Sequence, residues 1–210
     1  MEETTTIYLV RHGETAANVT NTLQGQSDVP LNANGLKQAA LAAERLKNKH
    51  FDFILSSDLS RAAVTAKTIA GERPVETFPI LREWDLGEWV GLTWDEIGEK
   101  FPEELAAFRA GDPDAVISGG ESRRQFNDRA AKILQWLTES YPGKELLCVS
   151  HGGVIRSIFR VIMGAEAAKH VRTDNTCVCV IRYFHKTCQW QIITWNDISH
   201  LEGWNLSTGW

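Results

Sequence analysis

Two histidines each sit beside glycine directly after an apolar run. Arg11-His12-Gly13 follows Ile7-Tyr8-Leu9-Val10, and Ser150-His151-Gly152-Gly153 follows Glu145-Leu146-Leu147-Cys148-Val149. Short apolar runs of this kind read as buried strands, the second as a central one. In an open α/β sheet, ligands bind beyond the carboxyl ends of the strands. Both imidazoles are therefore expected at the reactive edge, with glycine letting a ligand approach the backbone. A third strand end, after Phe51-Asp52-Phe53-Ile54-Leu55, carries Ser56-Ser57-Asp58-Leu59-Ser60-Arg61. Arg61 falls in the first turn of a helix, so its guanidinium and the helix N-terminus are both predicted to face an anion. Three strand ends thus deliver Arg11, His12, Arg61 and His151 toward one rim.

Two arginines and two histidines with few nearby acids make a pocket for a compact anion. The planar fork of arginine bonds two phosphate oxygens at once. Fixed cationic donors stabilise the charge that spreads over a phosphoryl group in transfer. A neutral imidazole, with a reference pKa of about 6.5, attacks phosphorus at pH 7 without help from another base. The sequence holds neither a Gly-x-x-x-x-Gly-Lys-Ser/Thr nor a Gly-x-Gly-x-x-Gly cradle. No Asp/His cluster has two-metal spacing, so protein cations are expected to do what magnesium does elsewhere, with no cofactor and no metal.

The elements that must position these groups alternate. A helix is predicted over 34–48 from Leu36, Ala39/Ala40, Ala43 and Leu46, with Asn32 or Asn34 as N-cap. Ala-rich Ser60 to Ala70 is helical and ends at Gly71, and Val75 to Phe78 is a short strand. A long helix over 122–140 buries Phe126, Ala130, Ile133/Leu134 and Leu137, and 152–163 is helical. Runs 176–184 and 190–195 read as an outer pair of strands joined by a turn near His185-Lys186-Thr187. The fold class is α/β: a three-layer α/β/α sandwich with a mainly parallel sheet. Residues of about 82–120 carry Trp84, Trp89, Trp94, several glycines and two short helices near 93–101 and 103–110. They read as a small helical cap insertion within a single domain spanning 1–210.

Composition narrows the partners. Lys+Arg number 22 and Asp+Glu 27, a formal net charge of −5. A mildly acidic chain lacks the clustered cations that non-specific nucleic-acid binding needs. No apolar run approaches the roughly 20 residues that span a bilayer, and Met1-Glu2-Glu3-Thr4-Thr5-Thr6 does not read as a secretory signal. Cys148, Cys177, Cys179 and Cys188 sit in or beside apolar runs and read as small buried hydrophobes with reduced thiols. A cytoplasmic protein is expected. Asn205-Leu206-Ser207 matches a glycosylation acceptor by chance.

Five stretches, in order, resemble the histidine phosphatase superfamily, also called the phosphoglycerate-mutase-like family. They are Leu9-Val10-Arg11-His12-Gly13-Glu14-Thr15 with Asn18, Gln24-Gly25 with Asp28-Val29-Pro30-Leu31, and Ser57-Asp58-Leu59-Ser60-Arg61-Ala62 with Thr65-Ala66. The last two are Leu81-Arg82-Glu83 with Gly87-Glu88-Trp89 and Gly91, and Ser150-His151-Gly152-Gly153. The resemblance implies that His12 is the nucleophile and that Arg11, Arg61 and His151 bind the phosphoryl oxygens, joined by Asn18. It implies that Glu83 protonates the leaving alkoxide and then activates water. Val90 departs from the pattern, where many members carry an acid, which bears on cap packing or specificity only.

The resemblance leads to a metal-independent phosphatase acting on a small-molecule phosphate ester; phosphoserine, α-ribazole phosphate or a broad set of phosphomonoesters are candidates. A phosphoglycerate mutase is the alternative, disfavoured because the cap is short. A non-catalytic module with the same fold ranks below both, because His12, Arg11, Arg61, Glu83 and His151 are all present. Gln24, Gly25 and Thr22 either line the phosphate site or close a turn. Of the cap tryptophans, at least two are expected in the core rather than on substrate. His50, His170, His185 and His200 read as structural. Residues 176–184 and the tail ending in Trp210 either cover a sheet edge or build a homodimer contact.

Overall fold

The computed structural model describes residues 2–203. In chain order the elements are β1 (Thr4–Arg11), α1 (Ala16–Val19), α2 (Ala33–Leu46), β2 (Phe53–Ser56), α3 (Ser60–Ala70), β3 (Glu76–Thr77), α4 (Trp94–Lys100), α5 (Pro102–Ala110), α6 (Arg123–Ser140), β4 (Glu145–Ser150), α7 (Gly152–Met163), β5 (Val178–Phe184) and β6 (Gln189–Asp197). Short 3-10 turns fill the connections. The strands form one sheet in the order β3-β2-β4-β1-β5-β6. The first four are parallel, and β5 and β6 run antiparallel to their neighbours.

Side chains alternate across the sheet as the pleat requires. Ile7, Leu9, Leu146 and Cys148 face α6 and α7, whereas Val10, Leu147 and Val149 face α2 and α3. The result is the expected three layers. β5 is an interior strand, paired on both sides, so the edge strand is β6 and the 176–184 run offers no outer face for pairing. The tail through Trp210 and Asn205-Leu206-Ser207 lie outside the described residues.

Helix ends follow their chemistry. The side chains of Asn32, Thr93 and Ser122 accept from backbone amides at the N-termini of α2, α4 and α6, the last two as capping boxes. On α2 the buried stripe differs from the sequence prediction. Gly35, Gln38, Ala39, Ala42 and Leu46 point inward, and Leu36 is half exposed. The cause is a backbone contact: a Cβ on Gly35 would lie 2.1 Å from the Glu14 carbonyl oxygen. That approach fixes the helix rotation and turns Gln38 inward, where its Oε1 accepts from Glu14 N at 2.8 Å.

The 82–120 stretch has its own apolar cluster of Leu86, Trp89, Ile97, Leu105 and Ile117. It lies over the carboxyl end of the sheet. Trp84 ties it to the main core by stacking on Phe126 at 4.6 Å. Arg129 clasps the cap from α6: it pairs with Glu121 and donates to the carbonyls of Ile80, Arg82 and Glu83.

Candidate active site

Sheet register brings the two histidines together. Arg11 of β1 lies level with Ser150 of β4, so the next residue on each strand leaves the sheet at the same height. The His12 amide donates to Ser150 O at 3.0 Å, and the two imidazole centroids are 5.1 Å apart. Glycine is required here by contact: a Cβ on Gly13 would meet Gly35 O at 2.4 Å. The loop is pinned from three sides. Gly13 N donates to Thr65 Oγ1, Asn175 Nδ2 donates to His12 O, and Thr176 N donates to the Arg11 and His12 carbonyls.

The His12 ring has a defined tautomer. Its Nδ1 lies 2.7 Å from Gly13 O, and a carbonyl only accepts, so Nδ1 carries the proton. In the neutral ring the lone pair is then on Nε2. Burial holds the His12 pKa well below its usual value, with Arg61 and Arg11 pushing the same way and the Gly13 bond opposing. His151 is fully buried and is lowered likewise, by burial first and then by Arg61, His12 and Arg11. Among the described residues neither His151 ring nitrogen has a hydrogen-bond partner. Buried imidazole nitrogens are normally paired, so both nitrogens of this ring are open to a further partner.

Arg61 is fully buried, and its pKa is pushed down to about 10, chiefly by burial. Its terminal nitrogens donate to Ser27 O at 2.6 Å and Gly25 O at 2.8 Å. Gly25 holds φ +49°, the left-handed region that glycine favours. Arg11 donates to Thr173 O at 2.6 Å, and burial lowers its pKa too. Such desolvated cations gain most from an anion between them. The sequence also aimed the N-terminus of α3 at the anion. Asp28 occupies it instead, accepting from Ser60 N at 2.7 Å, so Arg61 serves the site through its side chain alone.

Glu83 is held by backbone. Oε1 accepts from Trp84 N and Oε2 from Gly153 N, both at 2.9 Å. The second donor lies in the first turn of α7, so the acid is anchored to the helix that follows His151. A Cβ at Gly153 would meet Glu83 Oε1 at 2.2 Å, so that glycine makes room for the acid.

These groups line one cavity of about 770 Å³, its open mouth included. Arg11, His12, Asn18, Gln24, Gly25, Arg61 and Glu83 are all on its wall. His151 stands behind, against His12. Gln24 has both uses that the sequence left open: it faces the cavity and its Oε1 accepts from Thr15 Oγ1. Of the tryptophans only Trp89 is wholly core; Trp84 and Trp94 line the cavity while also packing on the cap, so two are not withdrawn from it as expected. Cys148, Cys177 and Cys179 are buried free thiols, but Cys188 is exposed at the β5–β6 turn rather than buried. His200 lies outside the cavity, 3.1 Å from Thr176 Oγ1. Sequence reasoning missed Arg156, which reaches the wall from α7, and Thr173 and Asn175, which brace Arg11 and His12. The signal for Arg156 was its place one turn after Ser150-His151-Gly152-Gly153.

An imidazole close to two buried guanidinium groups at the carboxyl edge of an α/β sheet is an arrangement suited to phosphoryl transfer. The chain belongs to the histidine phosphatase superfamily, branch 1, whose family model matches residues 7–198. Membership, together with the phosphoserine phosphatases among its relatives, supports a phosphoric monoester hydrolase. It is 41% identical to phosphoglycerate mutase-like protein 4 of Arabidopsis thaliana, over 93% of this chain and 86% of that protein. It is 40% identical to a metal-independent phosphoserine phosphatase of the same plant, over 95% and 84%. The crystal structure of a phosphoserine phosphatase mutant from Entamoeba histolytica in complex with phosphoserine superposes with a TM-score of 0.86. That pair is 30% identical, covering 94% of this chain and 99% of the other.

Proposed function

We propose that the protein is a metal-independent phosphatase that hydrolyses a small phosphomonoester through a phosphohistidine at His12. The observation that carries the reading is the Nδ1–Gly13 bond, which assigns the lone pair of a neutral ring to Nε2 beside Arg11 and Arg61. Nε2 attacks phosphorus and the bond to the ester oxygen breaks. Arg11, Arg61 and His151 hold the phosphoryl oxygens as charge builds. Glu83, protonated, gives its proton to the departing alkoxide. Water then attacks phosphorus, Glu83 takes a proton from it, and Nε2 leaves as inorganic phosphate forms.

The name of the phosphoserine phosphatase relative supports hydrolysis and a small, carboxylate-bearing substrate. The free thiols support a reducing compartment, the cytoplasm. The test is turnover of p-nitrophenyl phosphate in EDTA, with acid-labile ³²P trapped on the protein. We expect label on His12 and its loss, with activity, in His12→Ala. Label on another side chain, or full activity in that variant, overturns the reading. The name of the mutase-like relative keeps transfer in view. Efficient conversion of 3-phosphoglycerate to 2-phosphoglycerate with 2,3-bisphosphoglycerate would decide for it.

A further inference from the structure

The catalytic cavity does not end at Glu83. It continues past Trp84, Trp94 and Phe108 into a second groove, and Gly153 and Arg156 belong to both. The groove walls carry Arg109, Arg123, Arg156, Arg160 and Lys169 against one acid, Glu166. Glu166 pairs with Lys169 at 2.8 Å. None of the four arginines has a carboxylate partner among the described residues.

The arrangement is built rather than incidental. Arg123 donates to Phe108 O at 2.7 Å, and its guanidinium lies 4.4 Å from the Phe108 ring centre and 5.6 Å from that of Trp84. Its Nε is buried without a partner among the described residues. Arg156 and Arg160 stand one turn apart on α7, a like-charge spacing that destabilises a helix. Burial lowers the Arg123 pKa first, and then the charges of Arg160 and Arg156. Glu166, already paired with Lys169, is the one acid of the groove and also feels the charge of Arg160; cations in such excess beside an anion-handling site gain from a ligand that brings charge of the opposite sign.

We propose that this groove is a second anion subsite, in which Arg156 and Arg160, backed by Arg123, bind a carboxylate or phosphate on the leaving-group side of the substrate. The proposal rests on the phosphatase reading and names the substrate class: phosphomonoesters with a second anionic group. At 1.5 Å rise per residue, Arg156 lies ~5 Å and Arg160 ~10 Å along the helix from Gly153, where Glu83 is held. A carboxylate two or three bonds from the ester oxygen meets Arg156, and a group farther out meets Arg160.

The test compares kcat/KM within matched pairs. O-phosphoserine and O-phosphoethanolamine differ by a carboxylate, as do 3-phosphoglycerate and glycerol 3-phosphate. Fructose 1,6-bisphosphate and fructose 6-phosphate differ by a phosphate. We expect at least a tenfold preference for the more anionic member of one or more pairs. A carboxylate preference should collapse toward unity in Arg156→Gln, and a phosphate preference in Arg160→Gln, with circular dichroism showing both variants folded. Ratios near one in the wild type, or a preference unchanged in both variants, overturn the subsite while His12-dependent p-nitrophenyl phosphate turnover leaves the phosphatase reading standing. Absence of that turnover overturns both.

Discussion

Glu83 shows what position adds to chemical type. Asp85 and Glu88 stand close to it in the sequence, and its choice over such neighbours rests mostly on the family pattern. The structure supplies a physical reason: Glu83 alone of the three accepts from Gly153, across the cavity from its own segment. Glu83→Gln keeps the size of the side chain and loses the proton. We expect kcat on an alkyl phosphate to fall by about 10²–10⁴, the usual worth of a positioned acid. p-Nitrophenyl phosphate should lose far less, because its phenolate leaves without protonation. Equal losses on both esters would assign Glu83 another role. Arg11, His12 and Arg61 were legible because each follows a recognisable strand or opens a helix. Arg129 and Asn175 were not, because they act through backbone carbonyls of residues 46 to 163 positions away.

At the scale of elements, helices were read best where caps and composition agree. The span Ser60–Ala70 matches its prediction, punctuated by Gly71. Strand ends were read less well, since pairing partners decide them: β1 runs from Thr4 because β5 continues beside it to Phe184. The face of α2 was misread because Leu36 looks like a core residue and Gly35 does not. Yet the glycine carries the packing. Replacing an exposed helical glycine by alanine adds up to about 1 kcal/mol of stability. Gly35→Ala should instead cost about 1–3 kcal/mol, the usual penalty of overpacking, because its methyl would strike the Glu14 backbone. Urea denaturation gives the sign. It should be accompanied by lost activity, since Glu14 is two residues from His12. A stabilised variant would show that the β1–α2 contact yields.

For the whole molecule, proton linkage ties the site to global stability. His12 and His151 have pKa values well below 6.5 in the fold, and His200 is lowered to about 4, chiefly by burial. The unfolded chain takes up these protons near 6.5. Below that pH the unfolded state binds more protons, so stability is intact above 6.5 and declines as pH falls toward the folded values. Each fully buried ring contributes at most about 1.4 kcal/mol per pH unit. Asp52, Asp58 and Asp197, all lowered from 3.8, weaken only further down. The thermal midpoint should therefore drop between pH 6.5 and 4.5, before the carboxylates titrate; a flat midpoint to pH 5 would contradict buried neutral histidines.

The core on the sheet and the apolar cluster of the cap also divide labour. Phosphate-handling groups sit on loops rooted in the sheet, whereas the aromatic walls that meet the rest of the ester hang from a cap with its own small core. Inherited drift in the cap beyond Glu83 can therefore retune which ester is accepted while the groups that break the bond stay in place. A library randomised at cap positions with Glu83 held fixed is accordingly the economical route to new catalysts from this scaffold.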